Sequence, residues 1–443
     1  MKALGRRQQA PVDRCGWVFG LAGLAAVLFL VHGDAVGAAG DAVGAAQVLA
    51  PVPVPIPSPR AVRYYWSGNL LWILSNAWAL RVPALMFFSG FSARLRDLAR
   101  RIGRSTYGTW VVYLVLFVLV LFIANVGLDY YGDYLRPHDY GLSSQSMAKW
   151  WHDEAVSLLL NVVGGALFVW IPYLLLLRAP RRWWLYTWAA SIPLVLFLSF
   201  VEPIWIAPLF NDFGPMKDQV LEARILDLAH RAGIDGAQVF EVNKSIDTNE
   251  ANAYVTGIGA TKRIVLWDTT LAQYSPDQVL AVLGHEMGHF VLDHVWKGMI
   301  LGIAGLLGAL WLVNLCANRV LRQFAVRTGV RALSDIASLP LLILILQGVT
   351  LVLAPFPLAV SRHFEHEADR FGLEITRDNH DCATTFVKFV DDDLAYPTPG
   401  LLYQMWRSSH PPIGERIEFC NSYHPWRDGA PERYTRYFKA VSP

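Results

Sequence analysis

Apolar runs recur along the chain at 15–31, 70–88, 110–126, 157–177, 183–201, 298–316 and 337–360. Their lengths approach or exceed the roughly 20 residues a helix needs to cross a bilayer, so the pattern predicts seven membrane spans. The 70–88 run is the most polar of them, carrying Asn76 and Arg81, while Trp150, Trp151, Trp183 and Trp184 stand where interfacial aromatic residues are expected. Between the fifth and sixth runs the periodicity changes. Positions 220–232 read as an amphipathic helix stopped by Gly233, and 238–242 as a strand. Asn252-Ala253-Tyr254-Val255-Thr256 and Arg263-Ile264-Val265-Leu266-Trp267 read as a second pair of strands joined through Gly257-Ile258-Gly259. A helix follows at once, opened by the capping box Ser275-Pro276-Asp277-Gln278 and continued by Val279, Leu280, Val282 and Leu283.

Near the N-terminus lies a seven-residue tandem, Gly33-Asp34-Ala35-Val36-Gly37-Ala38-Ala39 and then Gly40-Asp41-Ala42-Val43-Gly44-Ala45-Ala46, with a proline-rich tract at 51–59. Such a composition builds no packed core, so 32–62 is expected to be an exposed, extended linker. The run before it, preceded by Lys2, Arg6 and Arg7, is either a first membrane helix or a signal peptide with small residues available for cleavage. The implied division is 1–31 signal peptide or first span, 32–62 linker, 63–201 transmembrane region, 202–297 soluble segment, 298–360 transmembrane helices and 361–443 C-terminal part.

Composition agrees with a polytopic membrane protein: 54% of the 443 residues are hydrophobic and 17% charged, with 17 Trp and 22 Phe. The formal net charge of +2 says little, and no basic surface interleaved with aromatic residues points to nucleic acid. The positions of the arginines are informative. Arg94, Arg96, Arg100, Arg101 and Arg104 lie in one short loop, Arg178, Arg181 and Arg182 in another, and Arg319, Arg322, Arg327 and Arg331 in a third. With alternating spans all three fall on the side of Arg6 and Arg7, so the positive-inside rule makes them cytoplasmic and puts 202–297 and the C-terminal region on the non-cytoplasmic side. The cysteines are Cys15, Cys316, Cys382 and Cys420, with no Cys-x-x-Cys. Cys382 and Cys420 pair if the C-terminal region faces an oxidising compartment, and otherwise remain two thiols.

The chemistry concentrates in Gly284-His285-Glu286-Met287-Gly288-His289. Residues four apart share a helical face, so His285 and His289 can grip one metal ion, zinc by donor type, while Glu286 beside them can act as a general base. A catalytic zinc takes three protein ligands, and the third must come from elsewhere. The cluster Ser361-Arg362-His363-Phe364-Glu365-His366-Glu367-Ala368-Asp369 supplies candidates. Glu365 and Asp369 are four apart, offering a ligand and a second carboxylate to orient a ligating histidine. His363, His366 and Glu367 are rivals that spacing does not exclude. His294 is the poorer candidate, since a continuous helix rotates it well away from the His285/His289 face.

These motifs, with Pro208-Leu209-Phe210-Asn211-Asp212-Phe213, Asn252-Ala253-Tyr254, Thr261-Lys262-Arg263-Ile264-Val265-Leu266, Ser361-Arg362, Ala368-Asp369, His410-Pro411 and Arg416, resemble the CAAX prenyl protease family (type I) of integral-membrane zinc metalloproteases, gluzincins, over roughly residues 60–420. The resemblance implies a predominantly α-helical fold of about seven spans around a water-filled chamber, with a small zincin-like α/β metalloprotease domain. It implies Glu365 as third zinc ligand, Asn252 and Ala253 as the edge that pairs with substrate backbone, His410 as oxyanion stabiliser, and Arg416 as a brace near Asp369. The expected reaction is endopeptidase hydrolysis of a peptide or protein substrate at the lipid bilayer, with Glu286 handling the proton. Because the arginine pattern turns the site away from the cytosol, general proteolysis of membrane or envelope proteins is favoured over CAAX-tail processing. The reading from another class, a transporter or scaffold with structural zinc, requires a fourth ligand that the pattern does not offer.

Overall fold

The computed structural model describes residues 50–257 and 262–439. The N-terminal apolar run and the Gly/Ala tandem lie outside the described residues. Among those described, six helical segments are long and apolar enough to cross a membrane: Pro59–Phe88, Thr106–Asp139, Met147–Arg178, Trp183–Leu209, His294–Thr328 and Ile336–Leu353. They correspond to the second through seventh apolar runs, the Arg81-bearing one included.

In chain order the elements used below are α1 (Pro59–Phe88), α2 (Phe91–Gly103), α3 (Thr106–Asp129), α4 (Met147–Phe168) and α5 (Trp183–Val201). Next come β1 (Phe213–Pro215), α6 (Gln219–Arg231), β2 (Gln238–Val242), β3 (Ala253–Thr256) and β4 (Arg263–Trp267). The rest are α7 (Pro276–Val291), α8 (His294–Thr328), α9 (Leu339–Leu353), α10 (Pro355–Thr376), α11 (Asn379–Asp391) and α12 (Ile413–Ser422). Helix starts follow local chemistry. Ser58, Ser105, Ser146, Asp218, Ser275 and Asp378 each accept a backbone N–H at an N-terminus, satisfying donors the helix leaves open. At Ser275 the reciprocal half of the capping box is also made, by Gln278.

The sheet has strand order β1-β2-β4-β3. β2 and β4 run parallel, with Gln238 opposite Arg263, while β3 returns antiparallel to β4 with Ala253 opposite Leu266. Its two faces differ, as the period of two requires. Ile264 and Leu266 face a core shared with α6, α7, α10, α11 and α12, whereas Val265 and Trp267 face a small cluster with Val242, Phe213 and Tyr254. A separate apolar core joins α1–α3 to the residues around α8 and α9, including Phe87, Tyr113, Phe117, Val313 and Leu341. The molecule thus has one core for the helical bundle and one for the α/β unit.

Hydrogen bonds sort the loops into two sets. Before α3, Ser92 Oγ donates to Ala337 O at 2.7 Å and Arg96 Nη1 to Gly329 O at 3.2 Å, with Arg96 also paired to Asp335. These contacts join the loop after α1 to the loop after α8, both arginine-bearing. On the other set, Leu142 O accepts from Asn249 N at 3.1 Å and Thr248 Oγ1 at 2.8 Å, joining the loop before α4 to the α/β unit. Loops predicted by span alternation to share a side do touch.

The proline tract differs from expectation. The part described is extended, but it is docked rather than free, and it ends at Ser58, because α1 begins at Pro59 rather than beyond residue 62. Val52 and Val54 pack against the core of the α/β unit. Asn421 of α12 donates from Nδ2 to Val52 O at 2.8 Å and accepts from Val52 N at 2.9 Å through Oδ1. An amide side chain here substitutes for a neighbouring strand. Asn421→Ala removes both bonds, each worth about 0.5–1.5 kcal/mol net. The expected outcome is faster limited proteolysis within 50–58 with little change in global unfolding; unchanged cleavage would show the tract is held by Val52 and Val54 alone.

Candidate metal centre

α7 and α10 cross at backbone contact, and the glycines decide it. A Cβ on Gly288 would lie 3.0 Å from Ala368 Cα, one on Gly284 3.3 Å from Gly372 Cα, and one on Gly372 only 2.8 Å from His285 N. Helices with larger side chains at the crossing stay 8–10 Å apart or more. This approach brings Glu365, on α10, to the two histidines of α7.

The three side chains converge. His285 Nε2 and His289 Nε2 are 3.0 Å apart, and Glu365 Oε2 and Oε1 lie 3.4 Å from them respectively. One ligand atom from each falls within 4.8 Å of the others. Tetrahedral bonds of about 2.0–2.1 Å require ligand atoms about 3.3–3.4 Å apart. Among the described residues Glu365 Oε2 is buried without a hydrogen bond. The donor set, its spacing and that open carboxylate oxygen all fit a divalent ion.

Around the three donors, charge is distributed with care. His285 Nδ1 lies 2.8 Å from Asp369 Oδ1. Arg416, from α12 and fully buried, donates Nε to Asp369 Oδ2 at 2.8 Å and Nη2 to Asp369 Oδ1 at 2.5 Å. Its Nη1 also stands 3.4 Å from Glu365 Oε2, and its guanidinium lies over the Phe386 ring at 4.3 Å. Two buried carboxylates therefore face one guanidinium, and the remaining negative charge is balanced either by a proton on His285 or by a cation in its place. Burial opposes ionisation of Asp369, yet Arg416 and His285 hold it down at about 2. Burial likewise opposes a charged His285, but Asp369 and Glu365 lift it to about 9. Glu286 follows His285 on α7, half-buried, and its carboxyl is pushed up by burial against the opposing pull of His285 and His289.

His410 is held at the same place by the chain entering α12. Its Nε2 lies 3.1 Å from Glu365 Oε1 and its Nδ1 2.8 Å from Ser409 Oγ. Arg362 fixes the preceding turn by donating to Gln404 O at 2.6 Å and Ser408 O at 2.8 Å. Burial lowers His410 to about 4, so its imidazole is neutral near pH 7. Asn252 is buried beside the start of β3; its backbone is tied to Thr270 Oγ1, and its Nδ2 has no hydrogen bond. Among the described residues β3 pairs on one side only, with β4, leaving Ala253–Thr256 as a sheet edge.

Of the rivals for third ligand, His363 is exposed, His366 stands edge-on to Phe419, and Glu367 points to His294 and Tyr434. None joins the donor group. His294 also stays outside the donor group, as expected, but not because a continuous helix turns it away. α7 ends at Val291, Asp293 takes a left-handed conformation (φ 56°), and α8 starts afresh at His294. A break of this kind resets the helical phase, and His294 Nδ1 ends 3.1 Å from His289 Nδ1. The sequence signal was available: Asp is among the few residues that tolerate the left-handed region.

Comparison with known proteins gives the family. Residues 215–423 match Peptidase family M48, and residues 60–212 match the CAAX prenyl protease N-terminal region with five membrane helices. The chain is 35% identical over 378 residues to the uncharacterized metalloprotease YhfN of Bacillus subtilis, spanning 85% of this chain and 88% of that one. The chain belongs to peptidase family M48. The human CAAX prenyl protease 1 homolog is 26% identical, across 75% of this chain and 79% of its own. In fold, this M48 protein is similar to the crystal structure of S. mikatae Ste24p, with a TM-score of 0.71 at 22% identity, covering 81% of this chain and 87% of that one. It is an integral, multi-pass membrane metalloendopeptidase that uses a metal ion on peptide or protein substrates.

The helix crossing makes an M48-specific prediction. Gly372→Ala improves helix propensity by about 1 kcal/mol, but its methyl enters the His285 backbone, and overpacking costs about 1–3 kcal/mol. The expected result is a lowered unfolding temperature in detergent and a reduced metal content. An unchanged or raised unfolding temperature would show that the crossing has slack.

Proposed function

We propose that this chain is a zinc metalloendopeptidase whose ligands are His285, His289 and Glu365, with Glu286 as general base. The observation that carries the reading is the convergence of the three donors: the two Nε2 atoms are 3.0 Å apart, each lies 3.4 Å from one of the two Glu365 oxygens, and one ligand atom of each residue falls within 4.8 Å of the others. Zinc supplies Lewis acidity there, lowering the pKa of a water toward about 7 and polarising the scissile carbonyl. Three protein ligands, rather than the four of a structural site, keep a position for substrate and favour catalysis over a scaffold role.

The protein's own groups do the rest. Substrate backbone pairs with the open edge at Asn252 and Ala253, which orients the peptide in extended form beside α7. Glu286 takes the proton of the attacking water and returns a proton to the leaving amine nitrogen. Its burial, which raises its affinity for a proton, suits both halves of that task. His410, positioned by Ser409 and the Arg362-held turn, donates from Nε2 to the carbonyl oxygen as negative charge develops. Asp369 accepts the Nδ1 proton of His285 and so fixes the tautomer that leaves Nε2 free to ligate, while Arg416 keeps Asp369 ionised.

Glu286→Gln is isosteric and leaves every proposed ligand in place. It is expected to keep one zinc per chain and lose at least about 100-fold in kcat on a peptide reporter. Retained turnover at full zinc content would reject Glu286 as the base, and a chelator-insensitive activity would reject the metal mechanism.

The favoured role is proteolysis of membrane or envelope proteins on the non-cytoplasmic side. Two independent features support it. Two of the three arginine-rich loops bond to each other, while the loop before α4 bonds to the α/β unit, and Cys382 and Cys420 are bonded, joining α11 to α12 next to Arg416. A reporter fused to the C-terminus is expected to be active only outside the cytosol. A cytosolic reporter signal would restore the CAAX-tail role.

A further inference from the structure

His285 and His289 are treated differently. His285 rests on a carboxylate, Asp369, clamped by Arg416. Among the described residues His289 has no carboxylate at its outer nitrogen; Nδ1 meets His294 Nδ1 at 3.1 Å. Two imidazole nitrogens at that separation form one hydrogen bond, with one donating and the other accepting. Which one donates follows from the metal site. If His289 presents the lone pair of Nε2 to zinc, its single proton is on Nδ1, so His289 donates and His294 accepts. His294 then carries its proton on Nε2, which lies 3.4 Å from Glu367 Oε2, near that carboxylate but without a formed hydrogen bond among the described residues. The surroundings support that placement. His294 is buried, with a side chain 3% exposed, and its ring stacks on Phe364 at 4.2 Å between centroids with 21° between planes. Glu367 is itself fixed by Tyr434 Oη, which donates to Oε1 at 3.2 Å, and has His363 Nε2 3.7 Å from Oε2.

We propose that His294 is the positioning residue of His289: by accepting the His289 Nδ1 proton at its own Nδ1, with its Nε2 turned toward the Glu367 carboxylate, it sets the tautomer and ring orientation of the second zinc ligand. The left-handed turn at Asp293 exists in this arrangement to bring the first residue of α8 back under α7. A membrane helix is thereby attached directly to a metal ligand, and Glu367 on α10 closes the loop from the opposite helix. The proposal rests on the zinc reading above and deepens it.

The test is zinc affinity, measured on the full-length protein in detergent by competition with a chromogenic chelator, alongside metal-free unfolding temperature. His294→Ala removes the acceptor and should weaken zinc by about 10- to 100-fold, the usual effect of losing an outer partner of a ligating histidine. His294→Asn retains an acceptor oxygen where Nδ1 stood and should stay within about threefold of the unaltered protein. Both variants lose the imidazole stacked on Phe364, so a packing role predicts equal losses. Equal losses, or full affinity in His294→Ala, would overturn the proposal. Absence of stoichiometric zinc in the unaltered chain would instead overturn the zinc reading, which keeps the two failures distinguishable.

Discussion

Backbone contact between α7 and α10 is the constraint from which the other features follow. Gly284, Gly288, Ala368 and Gly372 remove the side chains that would hold two helices apart, and the remaining separation is short enough for a glutamate on one helix to reach two histidines on the other. Were the helices a normal distance apart, Glu365 would still face α7 but would not share a point with both imidazoles. The same contact sets Asp369, one turn further along α10, against His285. One crossing therefore places a donor group and the carboxylate behind it. No loop is involved, so the geometry is as stiff as the two helices.

That stiffness creates an electrostatic problem the rest of the protease unit addresses. Glu365 and Asp369 are both buried, and charges removed from water need partners. α12 brings Arg416 to them, and the disulfide between Cys382 and Cys420 joins α12 to α11, whose Phe386 lies under the guanidinium. A cross-link near the brace restricts how far Arg416 can withdraw, while Asn421 on the same helix holds the proline tract. One guanidinium does not balance two carboxylates, and the second is left to a protonated His285 or to a cation that takes the place of that proton.

The membrane bundle contributes position rather than chemistry. Its core is separate from that of the α/β unit, and the chain passes between them at the end of α5, at the start of α8, between α9 and α10, and from the proline tract into α1. The second of these junctions is the left-handed residue Asp293, immediately after the metal-binding helix. Anchoring α8 in the bilayer thus bears directly on the helix that carries His285 and His289.

Much was legible in the chain because it depended on local chemistry. Apolar runs longer than about 17 residues have no common alternative to membrane spans, and six of the seven coincide with helices described here. The capping box at Ser275, the strands ending at Val242, Thr256 and Trp267, and the pairing of His285 with His289 on one face all follow from periodicity and turn chemistry. The residue pattern alone left Glu365, His363, His366 and Glu367 as equal candidates. The family resemblance singled out Glu365, and the crossing of α7 with α10 supplies the physical reason, because which face of a helix meets a distant one is a property of packing. Tertiary structure also joined Cys382 to Cys420, docked the proline tract on Asn421, and returned His294 to His289. The last of these escaped the spacing argument for a definite reason. Helical phase carries information only while the helix is continuous, and a single left-handed residue at Asp293 erased it.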